Sequence, residues 1–183
     1  MKQIILITIL FFVTVYVYCN NDLDENNESY EIKFYLFAEP NIILSKQIFG
    51  NINIALGFDR ILKKNIEGMI LHGPIIGFET NFIPNDYIYG IKTGYFIDYV
   101  HFFGLSFRLN SIMYNNSANQ WDIRIQPEIG LTIFGVLGVT YGYNFTLLET
   151  KNRGIGNHRV SLFYRIALLG YYGNKKWVPF PIN

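Results

Sequence analysis

The stretch HRVSLFYRIALL, residues His158–Leu169, decides the fold. Successive side chains of a β-strand point to opposite faces, so Val160, Leu162, Tyr164, Ile166 and Leu168 share one side. Arg159, Ser161, Phe163, Arg165 and Ala167 share the other. A segment that is apolar on one side and places its charges on the other reads as a half-buried strand.

The same alternation occupies Glu31–Leu44, Asn51–Asp59, Ile70–Phe82, Tyr87–Tyr99, Phe103–Tyr114, Trp121–Ile133 and Leu137–Leu147, which makes eight segments with the first. Most reach the roughly 9 to 11 residues of a tilted membrane strand, well beyond the five or six or so of an ordinary globular one. The expected fold is all-β, an eight-stranded antiparallel up-and-down transmembrane β-barrel. Turn-rich sequence separates the segments at Ile83–Asp86, Asn115–Ser117 and Asn152–Gly154. The connections near Val100 and Gly135 are very short and are assigned to the periplasmic end, where tight turns are expected. Arg60–Met69 falls at that end too and is longer than this scheme predicts.

Alternation alone does not separate a membrane barrel, apolar outside, from a soluble barrel that is apolar inside. The polar face does. It carries Gly57, Gly73, Gly77, Gly90, Gly94, Gly104, Gly130, Gly138 and Gly142, and no strand glycine is expected on the apolar side. Glycine weakens a strand unless something must approach closely, as large neighbours do in a narrow lumen; bulges and sharp curvature are the other use. The same face carries Glu39, Asp59, Glu79, Asp98, Asp122 and Glu128 against Lys33, Lys92, Arg108, Arg124, Arg159 and Arg165. Six acids against six bases leave a neutral lumen whose charges are expected to pair. The opposite face has no Asp, Glu, Lys or Arg, which suits hydrocarbon. Aromatic residues, among them Tyr87, Tyr99, Phe103, Trp121 and Phe134, gather toward strand ends, where amphipathic rings favour a bilayer interface.

On these residues the chain resembles the small eight-stranded outer-membrane barrels of the OmpA/OmpX type, over about Glu31 to Leu169. The resemblance is one of architecture and rests on no motif. It departs from that pattern in the tail Gly170–Asn183, which follows the last clear strand with Phe180 three residues from the end. Pro40, Pro74 and Pro127 also lie within strands, where a closed barrel has few places for them.

The chain has 183 residues, enough for one domain, and a net charge of +1 that recruits neither nucleic acid nor an acidic surface. Lys2 followed by the apolar run Ile4–Tyr18 has the order of a secretory signal, cut after Cys19; a lipid anchor on Cys19 is the rival reading. That gives a signal peptide over 1–19, a flexible acidic and Asn-rich leader over 20–29, the barrel over 30–169 and a tail over 170–183 that completes the barrel or folds back. A cut after Cys19 leaves a mature chain without cysteine, hence without disulfides.

Catalytic arrangements do not assemble in the sequence. His158 and Ser161 fall on opposite faces of one strand, His72 lies on the apolar side and His101 in a turn, so no histidine is placed to serve a lumenal serine. No Cys/His cluster has metal-ligand spacing. Gly138–Gly142 is strand alternation and not a phosphate loop. The expectation is an exported, monomeric outer-membrane protein without cofactor or catalysis. Its role is structural or in surface interaction, and its partners are outer-membrane lipid and the outer-membrane assembly machinery, with no nucleic acid. The alternative is a periplasmic lipocalin-like carrier with an apolar ligand inside.

Overall fold

The computed structural model describes residues 32–60, 69–83, 86–148, 155–172 and 175–178. The signal peptide, the leader, most of the segment after Arg60, the Asn152–Gly154 turn and Phe180 lie outside the described residues. The strands are β1 (Ile32–Leu44), β2 (Ile48–Arg60), β3 (Met69–Thr80), β4 (Ile88–Val100), β5 (Phe103–Asn116), β6 (Trp121–Ile133), β7 (Leu137–Tyr143), β8 (Phe145–Leu148), β9 (His158–Tyr164), β10 (Ile166–Tyr172) and β11 (Lys175–Val178).

Every pairing is antiparallel between neighbours, and β9 and β10 return to pair with β1, so the sheet closes on itself. β7 and β8 are two parts of one stave, as are β9 and β10, which gives eight staves in all. The tail adds β11, which turns back onto β10 with Gly170 opposite Val178.

The register fixes the geometry of closure. Starting at Lys33 and stepping from partner to partner leads through Asp59, Leu71, Asp98, Ser106, Gly130, Thr140 and Ser161 and arrives back on β1 at Ile43. One circuit thus advances ten residues, from position 33 to position 43. With about 3.3 Å per residue and about 4.8 Å between strands, that stagger tilts the staves by about 40°. A stave of thirteen residues, such as β1, then stands about 30 Å tall.

The three strand prolines find a common explanation. Each keeps an unbroken ladder on one side, where Pro40 opposes Ile52, Pro74 opposes Tyr95 and Pro127 opposes Leu109. Each sits at an interruption on its other side. The β1 ladder to the last stave jumps from Asn41↔Phe163 to Ala38↔Ile166 across Pro40. The β2–β3 ladder jumps from Ala55↔Ile75 to Phe58↔His72 across Pro74. The β6 ladder to the seventh stave jumps from Glu128↔Gly142 to Ile125↔Phe145 across Pro127. A residue without an N–H cannot donate to the ladder, and the wall breaks where the donor is missing.

Pro127→Ala restores a donor at the break between β7 and β8. A backbone hydrogen bond gained at the break contributes about 0.5 to 1.5 kcal/mol, and the freer unfolded chain takes back about 0.4 to 1. We expect a net gain of about 0.5 kcal/mol, visible as a raised urea midpoint in detergent micelles. An unchanged or lowered midpoint would give the break a different origin.

Candidate functional site

Residues of the polar face point inward along every stave. Glu39, Asp59, Glu79, Lys92, Asp98, Arg108, Asp122, Arg124, Glu128, Arg159 and Arg165 are all buried. Lys33 lies on β1 opposite Asp59, and its side chain lies outside those described.

Glu39 is the hub nearest the middle. It accepts from Arg108 Nη1 at 3.0 Å and from Arg165 Nε at 2.6 Å. Arg165 also reaches Asp98 at 2.7 Å, with its guanidinium 5.0 Å from the rings of both Phe37 and Phe96. Arg108 lies 4.1 Å over Phe163. A second hub is Glu79, whose two oxygens each accept from Arg159 at 2.9 Å, while the Tyr114 hydroxyl donates to Glu79 and accepts from Arg159. The two-pronged geometry holds a buried charge pair in register better than a single contact can. Asp122 and Arg124 form a third pair at 2.7 Å, two residues apart on β6.

Glu128 is held differently, by Asn110 Nδ2 and Thr140 Oγ1, each at 2.9 Å. Lys92, only 3% exposed, faces Glu128 and Glu79 without a direct ion pair among the described residues. Lys92 and Glu128 thus act on each other through space and not by direct contact. Neutral amides and a hydroxyl do part of the work.

The glycines divide between two uses. A Cβ on Gly138 would lie 2.3 Å from the Phe163 ring, and Gly57, Gly77, Gly90 and Gly142 likewise meet side chains of the neighbouring strands on the inner face. At Gly73 a Cβ would lie 1.8 Å from the Leu56 carbonyl oxygen, and Gly104 and Gly130 meet backbone in the same way. Gly94 meets both the Asn110 side chain and the Leu109 carbonyl. Space for large neighbours thus accounts for about half of the set, and close approach of adjacent strands for the rest.

The alternation pattern missed two apolar clusters that share the inner face. Phe37, Ala55, Leu71, Ile75 and Phe96 pack together toward the end with the short turns. Ile43, Phe49, Ile88, Ile112, Tyr114 and Ile155 pack toward the other. Between them runs a band that includes Glu39, Asn41, Asn51, Asn53, Lys92, Arg108, Asn110, Gln126, Glu128 and Thr140, all buried. The signal was available: apart from Ile155, which precedes β9, these apolar residues have the same parity as the charges on their strands. The two clusters and the band between them fill the lumen with buried side chains. We therefore expect negligible conductance in planar bilayers, and stable channels from monodisperse protein would show the interior to be open.

The catalytic candidates remain apart. Ser161 is buried, whereas His158 is on the outer wall with its Nδ1 2.5 Å from the Tyr141 hydroxyl. His72 is paired with Tyr95 at 2.6 Å, and the exposed His101 ring stacks on Tyr99. Among the described residues no three His, Cys, Asp or Glu side chains converge as a metal site. What this interior does chemically is neutralise buried charge and hold eight staves in one register. Comparison with protein-family models, with characterised proteins and with solved structures gave no match to the chain.

Proposed function

We propose that this protein is a small integral outer-membrane β-barrel with a structural or surface-interaction role and no catalysis. One observation carries the reading: charge is inside and hydrocarbon is outside. Ile42, Ile52, Ile76, Ile91, Leu109, Ile129, Leu131 and Leu162, spread over the staves, are each about half exposed, from 46% to 58%. Water-soluble proteins rarely show contiguous apolar surface of that extent, whereas lipid requires it. The stave height of about 30 Å matches a hydrocarbon core. The exposed rings of Tyr87, Tyr99, Phe103, Trp121 and Phe134 lie near strand ends, as interfacial girdles do. Export through the signal peptide, insertion by the outer-membrane assembly machinery and a monomeric state in lipid belong to the same reading.

The carrier alternative draws on the two interior apolar clusters. It would leave the outer wall facing water, at a cost nothing inside offsets. Fractionation decides between them. The protein is expected to stay with the outer membrane after a sodium carbonate wash; release into the periplasmic fraction would overturn the membrane reading and favour the carrier.

A further inference from the structure

The turn joining β6 to β7 carries a conformational cost that a hairpin does not require. The Val136 N–H donates to the Ile133 carbonyl at 3.0 Å, closing a turn whose central residues, Phe134 and Gly135, have φ of 51° and 67°. Positive φ at both central positions is what a type I′ turn requires, with Asn-Gly its preferred pair; here Val136 follows the turn before the ladder resumes at Ile133↔Leu137. Gly135 suits it. Phe134 does not, because a bulky L-residue in the left-handed region is strained, and Asn would form the same turn at lower cost.

Burial in a core does not compensate for that strain. The Phe134 ring is 61% exposed, and it packs edge-on against Phe102 of the neighbouring β4–β5 connection, with ring centres 4.8 Å apart. Phe102 packs in turn against Phe103 at 4.6 Å. The Phe134 N–H donates to the Phe102 carbonyl at 3.1 Å, tying the two turns together. Three largely exposed rings therefore project from one end of the barrel on a stiff double turn. Neither turn has an Asp, Glu, Lys or Arg between Val100 and Phe103 or between Phe134 and Val136. The rings run without a break into the apolar wall at Leu105, Leu131 and Leu137.

Strain held at a position whose side chain supports no core points to function. We propose that Phe102, Phe103 and Phe134 form a wedge that enters the acyl-chain boundary of a lipid bilayer and drives insertion of the short-turn end. This inference rests on the membrane reading. It assigns to three named rings the step of entering lipid, which the outer wall as a whole does not specify.

The test uses the full chain refolded from urea into phosphatidylcholine vesicles, with folding followed by the heat-dependent gel shift. Phe134→Asn relieves the backbone and is expected to retain or raise stability in detergent micelles. Into vesicles it should fold about tenfold more slowly, from loss of one ring's transfer into hydrocarbon. Phe102→Ala, at an ordinary backbone position, should slow insertion similarly and guards against a special effect of Asn. A Phe103→Trp reporter in a Trp121→Phe, Trp177→Phe background should be quenched by lipids brominated along the acyl chain. If both Phe134→Asn and Phe102→Ala insert at the parent rate, or the reporter escapes quenching in inserted protein, the wedge is wrong while the membrane reading stands. A parent chain that never enters vesicles overturns the membrane reading, and the wedge with it.

Discussion

Leu162→Arg is expected to block assembly into lipid, at a cost of about 2 to 4 kcal/mol for a cation near the bilayer midplane. Leu162 is 56% exposed on the outer wall, and its neighbour Ser161 is 6% exposed within the lumen. Adjacent residues of one strand therefore test both sides of the wall. Leu162→Phe should be tolerated, because lipid chains rearrange around a larger ring. Ser161→Trp should not, because the lumen around it is filled and overpacking typically costs about 1 to 3 kcal/mol. Folding yield into micelles and vesicles, read by the gel shift, reports all three. A harmless Ser161→Trp beside a damaging Leu162→Phe would mean that the barrel faces the other way and would remove the outer-membrane assignment.

Glu39→Ala should be at least as damaging, for the opposite reason. The carboxylate is fully buried and answers two guanidiniums, those of Arg108 and Arg165. Deleting it leaves Asp98 as the remaining direct ion-pair partner of Arg165 and removes the one direct ion pair Arg108 makes among the described residues. Removing one member of a buried pair typically costs about 3 to 5 kcal/mol, because the remaining charge cannot recover its hydration. Glu39→Gln keeps an acceptor without the charge and should fall between. Urea midpoints in micelles measure the series, and a Glu39→Ala protein with the parent midpoint would show that the hub is not buried as described.

The alternation in His158–Leu169 and its seven counterparts made the fold class legible, because strand parity reports directly which face a residue takes. Boundaries were close, with β6 found as read from Trp121 to Ile133 and β2 extended by three residues at its start, from Asn51 to Ile48. Parity carries no height, however. It places Phe96 and Lys92 on the same inner face without saying that one joins an apolar cluster and the other the polar band. That ordering depends on the ten-residue stagger of the closed sheet, which no single strand encodes. The prolines were unreadable for a related reason: whether Pro127 fits depends on which neighbour its nitrogen faces. The break in the seventh stave at Asn144, which answers this, belongs to a different segment of sequence.

The contact between Arg165 and Glu39 also orders events in time. The two residues are 126 positions apart, one on the first stave and one at the joint within the last. Asp122 and Arg124 can meet as soon as β6 exists, but Glu39 has to wait until the chain has laid down every stave between. Loop-closure entropy makes so distant a contact slow to form and gives it little help until the intervening hairpins stand. Until the first and last staves join, no lumen is enclosed and the inner charges stay open to water. The clasp is thus the step at which water leaves the interior, so that joining the two ends of the wall and drying the lumen become a single late event.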